Sequence, residues 1–133
     1  MQTSPKVRRV YVAAPFEDAH RVREIHERLR QFGIEPTSDW AVGAYGPEAL
    51  HEHSADRLRG FALGNDVSIR RADAILVLAR AGVGGEMFAE ARYAWDLRKP
   101  IVWVGRRTLS AYREGVVLAE DTDDALNTIW SWS

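Results

Sequence analysis

Glu86 is the carboxylate with the most suggestive setting in this sequence. It follows Gly82, Gly84 and Gly85 in the stretch GVGGE, where backbone without side chains lets a ligand approach closely, and it opens a helical pattern. An acid in a first helical turn complements the helix dipole in any case, so spacing alone leaves Glu86 as either a dipole partner or a ligand-facing carboxylate. Tyr11, Pro15, Phe16, Asp39, Trp40, Asn65, Asp66, Arg80 and Ser110 are the other polar, aromatic or turn-forming residues placed where a site could collect them. His51 and His53 stand two apart, a helical spacing that points them to different faces. With no cysteine and no HExxH pattern, neither a metal site nor a cofactor is expected.

The elements that would position these groups alternate between strand and helix. Ala74 to Ala79 and Ile101 to Val104 are unbroken apolar runs of strand length, which predicts central strands buried on both faces. The segment between them makes one parallel βαβ unit, with its glycine-rich turn at the carboxyl ends of the strands. Val10 to Ala14 is a first strand stopped by Pro15, and Val22, Ile25, Leu29 and Phe32 form one helical face closed by Gly33. Ile34 to Ser38 reads as a short strand, Ala41 to Gly46 as a loop, and Pro47 suits a helix start. Leu50, Leu58, Ala62 and Ile69 fit a buried stripe that Gly60 and Gly64 weaken, so two helices with a break are expected there. Arg106 to Gly115 is a polar connection, Val116 to Leu118 a brief edge strand, and Asp121 or Thr122 caps a last helix with Leu126 and Ile129 inward. The aromatic tail of Trp130 and Trp132 should dock on its own domain or on a second subunit.

The pattern predicts an α/β three-layer sandwich with a flavodoxin-like five-stranded parallel sheet in the order 2-1-3-4-5. Residues 1–133 are expected to form one domain. The 18 basic and 19 acidic residues nearly cancel, which argues against a nucleic-acid polymer or a membrane as partner and for a small molecule. No signal peptide or spanning run is seen, so a cytoplasmic location is expected. GxGxxG and GxxxxGK[ST] are both absent, so the glycine turn is not assigned to a dinucleotide or to ATP.

Three stretches taken together carry a resemblance: VYVAAPF at residues 10–16, RRAD at 70–73, and GVGGEMFAEARYA followed by the KP that opens the fourth strand. The chain resembles the nucleoside 2-deoxyribosyltransferase family and its relatives that hydrolyse the N-glycosidic bond of deoxynucleoside monophosphates. The resemblance implies an enzyme that cleaves or exchanges the N-glycosidic bond of a nucleoside or nucleotide. It makes Glu86 the nucleophile at the anomeric carbon and Tyr11 the hydroxyl that holds that carboxylate, with a covalent glycosyl intermediate and net retention. Asn65 falls where these enzymes usually place an aspartate that hydrogen-bonds or protonates the base. An amide cannot serve as a general acid, so either Asp66 takes that role or the leaving group is activated differently. Phe16 and Trp40 have the shape to sandwich a base, although such aromatic residues more often simply pack. Pro15 and Glu17 stand where the hydrolases carry a phosphate-binding serine and arginine, leaving Arg80 and Ser110 to hold a phosphate, and a free nucleoside fits equally well. LSAYREG at residues 109–115 looks like a segment that reaches a neighbouring subunit's site in the hydrolases, which implies a homodimer or higher homo-oligomer. A non-catalytic nucleotide-binding or sensing module on the same scaffold is the alternative.

Overall fold

A computed structural model of the chain describes residues 6–41, 54–80 and 85–133. Five parallel strands make one sheet in the order β2-β1-β3-β4-β5: β1 (Arg9–Ala13), β2 (Glu35–Pro36), β3 (Ala74–Ala79), β4 (Ile101–Gly105) and β5 (Val116–Ala119). This is the expected α/β flavodoxin-like arrangement. Among the described residues four α-helices cover it: α1 (Ala19–Gln31), α2 (Ala55–Arg71), α3 (Gly85–Asp96) and α4 (Thr122–Trp132). Right-handed crossovers leaving β1 and β3 in opposite directions put α1 and α3 on opposite faces. Contacts of Arg21 with Thr122, Arg28 with Asp123 and Phe32 with Trp130 join α1 to α4 in one layer, and α2 lies with α3 in the other.

The central strands are as apolar as double burial requires. Ile75, Leu76, Val77 and Leu78 of β3 are all buried, as are Ile101 to Val104 of β4. Val22, Ile25 and Leu29 bury the expected face of α1, and Gly33 takes the left-handed conformation, φ +77°, just past its end. Asp121 caps α4, accepting from the backbone N–H of Asp124, and Leu126 and Ile129 turn inward.

Two expectations change. The strand expected over residues 34–38 is assigned only at Glu35–Pro36: the Thr37 N–H still donates to the Val10 carbonyl of β1 at 2.8 Å, and the backbone then turns, with the Asp39 N–H on the Thr37 carbonyl, into the 3-10 turn Asp39–Ala41. The break expected at Gly60 and Gly64 does not occur. The helix runs unbroken from Ala55 to Arg71, started by Ser54, whose side chain accepts from the Arg57 N–H. Two glycines cost a helix about 2 kcal/mol of propensity, which tertiary packing through Ile69 and Ser68 overrides. Pro47, Leu50, His51 and His53, with most of the expected loop at 41–46, lie outside the described residues.

The start of β1 is fixed from two sides. Asp73, the acid of RRAD, accepts the backbone N–H groups of Arg8 and Arg9 at 2.9 Å each, and the Val7 N–H donates to the Trp132 carbonyl at 2.9 Å. At the opposite, carboxyl edge the exits of β3 and β4 touch: a Cβ on Gly105, φ +99°, would lie 2.1 Å from the Ala79 carbonyl oxygen, so only glycine fits there. No helix among the described residues is long and apolar enough to cross a membrane.

Candidate active site

The chain leaves β1 toward α1 and β3 toward α3, so the crevice between these two exits is the topological switch point of the sheet. Tyr11 sits inside β1 opposite Ile75 of β3, fully buried, with its ring directed into the layer of α3. A phenol in that position needs a partner for its hydroxyl. The Tyr11 hydroxyl donates to Glu90 Oε2.

The resemblance pairs Tyr11 with Glu86; in the structure a carboxylate on Tyr11 is that of Glu90, one helical turn beyond Glu86, which is exposed in the first turn of α3. Met87, Ala91 and Ala94 form the buried stripe of α3, and position 90 borders it, so Glu90 is carried inward while Glu86 stays at the rim. Burial pushes the Glu90 carboxyl up to about 8, against the pull of the Tyr11 hydrogen bond and with help from the negative charges of Glu86 and Asp66. An acid at the edge of a helix's apolar stripe was a signal the sequence did contain.

Asp66 is a neighbour of Glu90: it is exposed on α2, close enough for its charge to be felt there. Asn65, beside it, is half-buried. Gly85 opens α3, and among the described residues beyond its own helix nothing stands within 4 Å of where its side chain would be. Gly82 and Gly84 lie outside the described residues.

Around the β1 exit the aromatic groups are mainly structural. Trp40 is 3% exposed, donates its indole N–H to the Val12 carbonyl and meets Phe16 edge to face at 5.8 Å, so it forms a wall rather than a face open for stacking. Phe16 keeps partial exposure, Pro15 is buried, and Asp39 is exposed at the start of a short 3-10 turn. Arg80, the residue after β3, places a guanidinium nitrogen 2.5 Å from the carboxylate of Asp18. Ser110 is half-buried in the turn Leu109–Tyr112 beyond β4. Among the described residues no cluster of His, Cys, Asp and Glu has the grouping to hold a metal ion.

No protein-family model matches the chain, and no curated protein does. Solved structures are similar to it. A 2-deoxyribosyltransferase from Bacillus psychrosaccharolyticus superposes with a TM-score of 0.68 at 22% identity over 90% of each chain. The CMP N-glycosidase BcmB of Clostridium botulinum superposes with a TM-score of 0.58 at 12% identity, over 91% of this chain and 97% of that one. At these identities the likeness establishes a shared fold.

Proposed function

We propose that this chain is an enzyme that cleaves or exchanges the N-glycosidic bond of a nucleoside or nucleotide, with Glu90 as nucleophile and Tyr11 as the hydroxyl that aims it. The observation that carries this reading is the buried Tyr11–Glu90 pair at the switch point of the sheet. The fold shared with a 2-deoxyribosyltransferase and a CMP N-glycosidase supports it.

The ionised Glu90 oxygen attacks the anomeric carbon as the bond to the base breaks, and the bond's electron pair leaves on the base nitrogen, which takes up a proton. Water or a second base then attacks the glycosyl ester from the opposite side, releasing the carboxylate with net retention. Tyr11 fixes which carboxylate oxygen faces the sugar. Asn65 offers the base hydrogen bonds only, and Asp66 is the titratable group beside it. Glu86 lies at the rim and acts on Glu90 through its charge. We further propose a homo-oligomer, supported by Leu109, 91% exposed, and Tyr112, 63% exposed, on the segment beyond β4. Sedimentation showing only monomer at micromolar concentration would remove that part.

Incubation with a 2-fluorinated deoxynucleoside tests the assignment, because the electronegative substituent slows breakdown of the intermediate. Fragmentation of the labelled peptide should place the added sugar mass on Glu90. A label on Glu86 would reinstate that residue. Binding of nucleosides with neither label nor turnover would favour the sensing module.

A further inference from the structure

We propose that Asp18 fills the position a 5′-phosphate would take, so that the substrate is a free nucleoside; this rests on the reading that the crevice holds an N-glycoside with its anomeric carbon at Glu90. The positive end of α1 and the guanidinium of Arg80 meet at the switch point, a combination that suits an anion. The chain supplies that anion itself. Asp18 stands at the N-cap of α1, yet its side chain does not cap the helix; it turns to Arg80, with an Oδ1 to guanidinium distance of 2.5 Å. The carboxylate is only 6% exposed and Arg80 54%, so the negative group is the enclosed member and the arginine the exposed one. Acids among the described residues add further negative charge: Glu17 follows Phe16, Asp39 opens the 3-10 turn after β2, and Asp66, Glu86 and Glu90 border the crevice from α2 and α3. A phosphate arriving there meets an arginine already neutralised and a buried carboxylate it cannot displace without leaving that charge unpaired.

The test compares binding of 2′-deoxynucleosides with that of their 5′-monophosphates by calorimetry, using protein with Glu90→Gln so that ligand is not consumed, and with inorganic phosphate as a separate probe. With Asp18 present, the monophosphates should bind at least about tenfold more weakly than the nucleosides. Asp18→Asn keeps a favourable N-cap residue and frees Arg80, and should shift the ratio toward the monophosphates by about tenfold or more. Asp18→Ser is the second variant should the amide fail to fold. Adding Arg80→Gln to either should abolish the gain. Inorganic phosphate should stabilise the Asp18 variants against heat and leave the parent protein unmoved. Equal or tighter monophosphate binding by the parent, or an unchanged ratio in a folded Asp18 variant, overturns the proposal. If no nucleoside binds to any form, the nucleoside reading fails, while the phosphate arm still decides whether Asp18 occupies an anion site.

Discussion

Two buried titratable pairs lie on opposite faces of the sheet, and they differ in one decisive respect. On one face Tyr11 holds Glu90; on the other, His26 of α1 places Nε2 2.6 Å from Ser38 Oγ. Burial pushes Glu90 up to about 8. It pulls His26 down to about 4, with Arg30 acting in the same direction and Glu27 against it. Both groups are therefore largely neutral near pH 7. His26 and Ser38 are closed off, with Trp40 and Ala41 also buried after β2. Glu90 borders an edge lined by exposed Glu86 and Asp66. His26 is a neutralised group enclosed with its partner, a packing solution, whereas Glu90 carries its shift beside exposed acids, which is what the proposed reaction requires.

The largest effect that would break this comparison is on turnover. Glu90→Gln should lose about two to four powers of ten in kcat, as loss of a covalent catalyst does, while Glu86→Gln should cost less than about tenfold. Nucleoside turnover by purified variants checks both, and equal losses would erase the distinction between rim and interior.

Stability against pH separates the two pairs by sign. Glu90 has a folded pKa above its unfolded value, so the stability it contributes is full at low pH and falls as pH rises from 4.5 to about 8. Denaturant titration at pH 9 should find Glu90→Gln more stable than the parent by about 2–5 kcal/mol, with the gap closing below pH 4.5. His26 has a folded pKa below its unfolded value. Its contribution is full above 6.5 and is lost as pH falls toward 4, so His26→Gln should flatten that acid limb by up to about 3 kcal/mol and leave turnover near the parent's. A large loss of activity in a folded His26→Gln protein would end its assignment as packing.

The smallest effects sharpen the site itself. The acid limb of kcat/KM should follow ionisation of Glu90 in the free protein. Glu86→Gln and Asp66→Asn each remove a like charge and should move that limb down by less than about one pH unit, whereas Tyr11→Phe removes the hydrogen bond favouring the ionised form and should move it up. Identical limbs in all three variants would mean that another group controls the profile.

Much of the fold was legible because parallel strands buried on both faces write themselves as uninterrupted apolar runs, as at Ala74–Ala79, and because helices such as α1 show one apolar stripe. What was not legible depended on contacts made by distant residues. Nothing local to Thr37 announces the Ser68 carbonyl that takes its hydroxyl, and nothing near Gly60 announces the packing that keeps α2 continuous. The site followed the same rule. Tyr11 was readable as a tyrosine in a buried strand, but its partner lies 79 residues away, and choosing between two acids one turn apart required knowing which side of α3 faces β1. Trp40 was readable as a packing aromatic, but the acceptor of its indole N–H, the Val12 carbonyl, was invisible in the sequence around it.

The double grip on the start of β1 has a practical consequence for anyone attaching this molecule to something else. The hydrogen bond from Val7 to Trp132 brings the two ends of the described chain together at the amino edge of the sheet, on the far side from the crevice. A tag or surface linkage at either end therefore leaves the crevice facing outward. A short peptide joining the two ends would allow the chain to be reopened elsewhere, and the turn at Glu114–Gly115, whose residues are both exposed, is a place to cut it, provided the bond from the Trp95 indole N–H to the Glu114 carbonyl can be spared.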